Sequence, residues 1–489
     1  MDNLILILTV PFAFGIIMFF APLNFKLLQT LHVTLSAVVS AVLLMGVGKV
    51  VGGSTLSAFN HFLFLDALGA IFLSLIAITG FLVNVYATTY MKWELEAGHL
   101  TLKQVKNYFA LSFIFTWTMS LSVVCNNIAF MWAAIEATTL ASVFLVAVNN
   151  DKKSTESGYK YVVLCSIGLA FALYATILLY AAANGTVEGD AMLYTNLLAN
   201  ADQIDTGALK LIFVLALIGF GTKAGLAPTH TWLPDVHAEG PAPTSALLSG
   251  VLLKCALLGL VRYYAIVANG AGFDFVQSVM LVSAILTLFI SAFFLIRQHN
   301  VKRMFAYHSV AHMGVIAFGL GVGGAIGLFA ALFHCAAHSF TKALAFCSTG
   351  NIARIYGTKD MTKMGGMIRI APLTTVLFGI AICSLVGVPG FAIFVSEFLI
   401  FKAAALDGKY VLMGIFALAL AIIFIADFSH FFLASFGKVE GKVVHDGEMK
   451  LGENLPLLGL AILIVAFGVW QFESFTYLLD ESVKSILKQ

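Results

Sequence analysis

Residues 221–264 read GTKAGLAPTHTWLPDVHAEGPAPTSALLSGVLLKCALLGLVRYY. An apolar run carries Lys223, meets Pro228 and Pro234, and passes into a polar loop holding His230, Asp235, His237 and Glu239. A second apolar run then carries Lys254 in mid-helix. An ammonium near the centre of a bilayer costs at least ~2.5 kcal/mol on insertion scales, so two in succession call for a functional reason. Proline strips backbone hydrogen bonds, which is tolerated at membrane depth only where protein or water re-satisfies them. A buried lysine beside a broken helix is the local chemistry of an ion or proton path.

Outward from this stretch, the composition sets the class. The chain is 60% hydrophobic and 11% charged, with a mean hydropathy of +0.97. A soluble domain of this size would carry far more surface charge, so the fold class is an all-α polytopic membrane protein. The net charge of +2 gives no reason to expect a nucleic-acid partner. Cys125, Cys165, Cys255, Cys335, Cys347 and Cys383 all fall inside apolar runs and form no CxxC pair. That argues against a disulfide framework, a zinc site or an iron–sulfur cluster. The opening run at 4–22, LILILTVPFAFGIIMFFAP, lacks a basic leader and reads as a first span rather than a cleaved signal.

Windows of about 20 apolar residues mark bilayer crossings. Fourteen are expected, near 3–22, 27–50, 63–88, 107–125, 127–148, 160–183, 209–233, 243–267, 275–296, 302–320, 323–349, 369–403, 411–436 and 455–477. The seventh and twelfth contain proline breaks. An even count puts both termini on one side. Seventeen basic residues then lie in loops on the opposite side, against seven on the side of the termini. The positive-inside rule makes the richer face cytoplasmic, as in a multi-pass protein of the cytoplasmic (inner) membrane. The three remaining basic residues, Lys223, Lys254 and Lys342, lie inside spans. The loop at 184–208 is acidic, which suits the outer face. Because the two broken spans are five apart, a repeat of that length would be inverted in the membrane. The expected division is 1–106 for the first three helices, 107–267 and 268–436 for two five-helix repeats, and 437–489 for a cytoplasmic loop and helix 14.

The ionisable groups inside the spans form a series rather than one pocket. Glu136 lies in span five, Lys223 in span seven, Lys254 in span eight, and His308 and His312 in span ten. His334, His338 and Lys342 share span eleven, and Glu397 lies in span twelve. Glu136 and Lys223 are the candidate switching pair. A carboxylate about 7 Å from a lysine contributes ~2.4 kcal/mol at an effective dielectric near ~20, enough to hold or release one proton. A structural salt bridge between spans five and seven is the alternative. His334 and His338, four apart on one helical face, suit a relay or a hydrogen-bonded core pair; a metal site is the lesser alternative, because no third ligand is nearby. Asp427 and His430 fall near a helix end and read as anchors, and Asp66 reads as a helix cap. Asp235, His237 and Glu239 suit either a solvated turn or a proton inlet.

Several blocks resemble a known family. GTKAGLAPTHTWLPDVHAEGPAPTSALLSG (221–250), AYHSVAHMG (306–314), FHCAAHSFTKALAFCSTGNI (333–352) and VGVPGFAIFVSEFLIFK (386–402) are similar to segments of the antiporter-like subunits of respiratory complex I, Mrp-type sodium/proton antiporters and membrane-bound hydrogenases. The resemblance covers about 105–436. Within the family, IEATTLAS (135–142) and YKYVVLCSIGLAFALYATILLYAA (159–182) look most like component F of hydrogenase 4 and formate hydrogenlyase complexes.

The resemblance implies about fourteen transmembrane helices in two inverted five-helix repeats, with helices 7 and 12 broken. It implies a proton relay of Glu136, Lys223, Lys254, His312, His334, His338, Lys342 and Glu397, in which Glu136 pairs with Lys223 and Lys254 is central. His308 stands where a small polar residue is expected, and Glu397 stands where the distal complex I subunit has lysine. The chain ends shortly after span fourteen, without the lateral helix of that distal subunit. The function implied is a proton-translocating subunit of an energy-converting redox complex of hydrogenase 4, formate hydrogenlyase or NADH:quinone oxidoreductase type, with no redox centre, cofactor or metal of its own. The alternative is a subunit of an Mrp-type sodium/proton antiporter. Implied partners are the bilayer, protons (or sodium), and other membrane and peripheral subunits, paralogous antiporter-like subunits among them.

Overall fold

The computed structural model describes residues 2–438, 441, 443–445 and 447–489. Lys442, one of the basic residues assigned to the cytoplasmic loops, lies outside the described residues. The chain is a bundle of long apolar helices: α1 (Asp2–Phe20), α2 (Phe25–Val51), α3 (Ala67–Glu96), α4 (Leu102–Val124), α5 (Ile128–Val146) and α6 (Lys152–Ala183). After them come α7 (Thr206–Ala224), the short α8 (Trp232–Glu239), α9 (Ala242–Ala271), α10 (Phe273–Ile296), α11 (Val301–Val322) and α12 (Gly324–Tyr356). The chain closes with α13 (Pro372–Leu385), α14 (Ala392–Leu406), α15 (Tyr410–Phe436), α16 (Leu451–Val469) and α17 (Glu473–Leu487). Among the described residues, 13 helices are long and apolar enough to cross a bilayer. The interrupted pair α13–α14 supplies a further crossing, so the expected fourteen spans are present as a multi-pass membrane fold.

Helix ends follow local chemistry. Asp66 does cap α3, accepting from the Gly69 amide at 2.7 Å. Thr101 and Gln104 close a reciprocal capping box on α4. α7 stops at Gly225, whose φ of +85° is the left-handed conformation that ends a helix. Pro228 lies in the break that follows, whereas Pro234 sits in the first turn of α8, where its missing N–H would have no intrahelical partner. Residues 235–239, expected as a loop, are therefore helical. The second break spans residues 386–391, with Gly387 and Gly390 at φ +71° and +96° on either side of Pro389. A third irregularity left no trace in the hydrophobic pattern: residues Leu248–Leu252 of α9 make a π-helical turn just before Lys254.

The packing order repeats. α4 lies on α5, α5 on α6 and α6 on α7; in the second half α10 lies on α11, α11 on α12 and α12 on α14. α9 and α11 are buried along nearly their whole length, while α1, α15 and α16 turn most of their apolar residues outward, as lipid-facing helices do. The faces are tied by their own contacts. On one face, the hairpin Leu56–Ala58/Leu63–Leu65 bridges to Cys125, and Asn127 bridges to Leu193. On the same face Asn269 donates to the Ile486 carbonyl at 2.8 Å and Lys488 to that of Ala199 at 3.0 Å. The opposite face joins Asn300 to Asp360. The last span is shorter than expected: α16 ends at Val469, and α17 is a separate helix. Its charged residues (Glu473, Asp480, Glu481, Lys484) alternate with a buried stripe of Leu478, Leu479, Val483 and Ile486, the pattern of a helix lying along a surface rather than crossing it.

Candidate functional site

In the first half, Lys223 occupies the last turn of α7 and is fully buried. Its Nζ donates to the Thr139 hydroxyl at 2.7 Å and the Tyr161 hydroxyl at 2.6 Å, and lies 4.4 Å from the Tyr161 ring centre. Trp232, from α8, closes over this pocket with its ring 4.7 Å from that of Tyr161 and its N–H bonded to the Thr222 carbonyl at 2.8 Å. Glu136 lies one turn before Thr139 on α5. Its Oε1 accepts from the Ser166 hydroxyl at 2.5 Å, and its Oε2 has no hydrogen-bond partner. The expected Glu136–Lys223 couple is thus not a direct ion pair. Hydroxyls take the ammonium, and the carboxylate stands apart with one oxygen free. No direct salt bridge ties spans five and seven through these two side chains.

Lys254 anchors the centre. The π turn widens α9, and the Ser249 carbonyl, five residues back, accepts from Lys254 Nζ. The same Nζ lies 2.5 Å from Nδ1 of His338 on α12. The imidazoles then form a contiguous group. His338 and His312 have ring centres 5.0 Å apart, His312 Nδ1 is 2.9 Å from His334 Nε2, and His334 Nδ1 is 2.8 Å from the Ser396 hydroxyl on α14. Ser396 adjoins Glu397, whose Oε1 has no partner and whose Oε2 lies against the second break, filling the space that a Cβ on Gly387 would take. Glu397 lines a lateral crevice of about 470 Å³ with Phe394, Phe398 and Phe401. Lys342 Nζ donates to the Phe305 carbonyl at 2.8 Å, one turn from His308. Of the eight expected relay residues, Lys254, His338, His312 and His334 form one contact chain, which ends at Ser396, next to Glu397 in sequence. Glu136 and Lys223 form a separate cluster, and Lys342 flanks the chain.

The basic face fastens α8. Asp235 pairs with Arg303 and, at 3.4 Å, with Lys160. Lys302 donates to the Gly240 carbonyl, and Lys359 to that of Ala238 at 2.7 Å, so two ammonium groups cover the C-terminal end of the helix. His237 is not on a solvated turn: it is fully buried, with its ring stacked 4.6 Å from Phe346. Beside Lys359, hydrogen bonds from Thr362 hold the Asp360 carboxyl below its ordinary range and keep that surface turn closed.

Residues 125–423 match the family of NADH:quinone oxidoreductase/Mrp antiporter transmembrane proteins. The chain belongs to this family. It is 33% identical over 417 residues to the hydrogenase-4 component F homolog of Methylacidiphilum infernorum (isolate V4), covering 84% of this chain and 86% of that one. It is 27% identical to a Na(+)/H(+) antiporter subunit of Alkalihalophilus pseudofirmus, covering 73% of each. Among solved structures, a chain of the membrane-bound sulfane sulfur reductase, an archaeal respiratory membrane complex, superposes with a TM-score of 0.85 at 23% identity, covering 100% of this chain and 98% of that one.

In this member of the family, several polar residues that complete the site escape the sequence. Tyr161, Thr139, Ser166 and Ser396 supply hydroxyls from apolar helices, where Ser and Thr more often bond only their own backbone, as Ser112 and Thr116 do here; Ser396 does both, donating to the Ile393 carbonyl at 2.7 Å. Lys302 and Arg262 were expected in loops, but both are buried. Arg262 donates to the Cys125 carbonyl at 2.5 Å and the Val123 carbonyl at 3.2 Å, satisfying the open C-terminal end of α4. Asp427 was expected near a helix end. It lies well inside α15, fully buried, and its carboxylate meets Nε2 of His308. His430, by contrast, bonds its own helix through the Ala426 carbonyl at 2.6 Å, as an anchoring residue does.

Proposed function

We propose that this chain is the proton-translocating membrane subunit of an energy-converting redox complex of the hydrogenase 4 or formate hydrogenlyase type, set in the inner membrane. The observation that supports this most is the contact chain Lys254–His338–His312–His334–Ser396 through the middle of the bundle, which ends one residue before Glu397 on α14. Each imidazole has two nitrogens and so accepts a proton on one and releases it from the other. An ammonium at Lys254 can hand its proton to His338, and the positive charge then moves along the rings toward Glu397 without a carboxylate having to cross the bundle. Thr139 and Tyr161 hold Lys223 one turn along α5 from Glu136, so a change of charge at Glu136 alters how firmly Lys223 keeps its proton, by a few kcal/mol at most for a separation of several ångström (~2.4 kcal/mol at ~7 Å and an effective dielectric near ~20).

The division into repeats at 107–267 and 268–436, with Glu136 and Lys223 in the first and Glu397 in the second, belongs to this proposal. So do the other membrane and peripheral subunits that would carry the redox chemistry. The similarity to a sodium/proton antiporter subunit supports a second reading, in which an ion gradient drives the same relay. Vesicles containing the intact complex separate the two. Redox-driven proton uptake in the absence of a sodium gradient is the expected result. Sodium-driven proton flux with no redox substrate would replace the first reading with the second.

A further inference from the structure

His308 and Asp427 lie outside the relay described above, yet they touch it. His308 stacks on His312 with ring centres 4.7 Å apart, so it branches from the chain at the imidazole that also meets His334 and His338. Its Nε2 contacts the Asp427 carboxylate, and both side chains are fully buried. Beyond this close approach, neither side chain makes a hydrogen bond of regular geometry among the described residues. The facing charged group is Lys342, whose Nζ is bonded to Phe305 one turn away on the same helix and which feels the Asp427 charge. α15 packs chiefly on α10 and turns most of its length outward, so an aspartate that reaches past α10 to α11 is out of keeping with its helix. Inserting a carboxylate there costs ~2.5–3.5 kcal/mol on insertion scales, and a structural link between helices could be made by asparagine without that cost.

We propose that His308 and Asp427 form a second proton-holding couple that branches from the histidine chain at His312. This rests on the relay reading above. In the step assigned to it, the N–H bond at His308 Nε2 breaks and an O–H bond forms at Asp427 Oδ2. An imidazolium and a carboxylate become a neutral imidazole and a carboxylic acid. This shift leaves the loaded couple at zero net charge; loading it adds a proton to a neutral imidazole beside a carboxylate and takes the couple from −1 to zero, so it is the loaded state that isolates no charge in the hydrocarbon. A proton reaching His312 then has two places to go: through His334 and Ser396 toward Glu397, or into the Asp427 couple.

The test uses the intact complex in vesicles, with proton translocation expressed per assembled complex. Asp427→Asn is expected to lower translocation roughly tenfold or more, the scale of losing a charge-assisted hydrogen bond, while Asp427→Glu stays within about threefold of the native chain. His308→Ser combined with Asp427→Asn is expected to be no worse than either alone, as for two residues acting as one unit. Infrared difference spectra should contain a carboxylic-acid carbonyl band that Asp427→Asn removes. If that variant does not assemble, the band must shift in Asp427→Glu. Native translocation in Asp427→Asn, or a band that neither variant touches, would overturn the couple. Lys254→Ala distinguishes the levels. If it translocates normally, the relay falls and the couple with it; if it is inactive while Asp427→Asn is normal, only the couple falls.

Discussion

The three lysines buried within the spans are each held by their immediate neighbours. Lys223 is held by two hydroxyls and an aromatic face, Lys254 by a carbonyl and an imidazole, and Lys342 by a carbonyl. Tyr161→Phe removes one of the two hydroxyls on Lys223 and should reduce proton translocation roughly tenfold, since hydrogen bonds to charged groups contribute ~1.5–3 kcal/mol. Translocation per assembled complex measures this, and an unchanged rate would show that Tyr161 only packs. The lysines and carboxylates were legible in the sequence because hydrocarbon makes every charge conspicuous. The hydroxyls were not, because Ser142, Thr138 and their like bond their own helix whether or not they serve a site. Asp427 was legible as a charge but misplaced: the span was expected over 411–436 and α15 runs Tyr410–Phe436, so Asp427 lies more than two turns inside it, buried against His308.

At the scale of elements, the three irregular helices define where the charges sit. Proline announced two of them. The π turn in α9 has ordinary helix formers at Leu248, Leu252 and Leu253 and shows only in the folded chain. Gly387 needs its positive φ and its missing Cβ, because Glu397 fills the space a side chain would take. Gly387→Ala should therefore displace Glu397 and lower translocation while the Lys223 pocket, on separate helices, stays intact; translocation per assembled complex is the readout. Gly219 plays a packing role: a Cβ there would collide with the Ala172 backbone on α6. Gly219→Leu should separate α6 from α7 and cut the amount of assembled complex severalfold, read on a native gel.

For the whole molecule, the distribution of basic residues and the tied faces give one topology. On that count the acidic loop at 184–208 should face outward with the termini, and the loop carrying Lys359 and Lys363 should face the cytoplasm. Cysteine labelling checks this cleanly, since five of the six native cysteines are buried and Cys383 is partly covered. Glu188→Cys should react with an impermeant maleimide in intact cells, and Lys363→Cys only after permeabilisation; the reverse pattern would invert the chain. Fold class and span count were legible because lipid forces about 20 apolar residues per crossing. The end of the last crossing was not, since α17 continues an apolar pattern along a surface after the break at 470–472.

The central claim is that protons cross through Lys254 and the imidazoles beyond it. Its most direct test is proton uptake by vesicles holding the intact complex with Lys254→Ala, driven by the redox substrate and normalised to assembled complex. Uptake should fall at least ~100-fold, the lower scale for losing a positioned proton-transfer group. Uptake within about twofold of the native complex would contradict the claim.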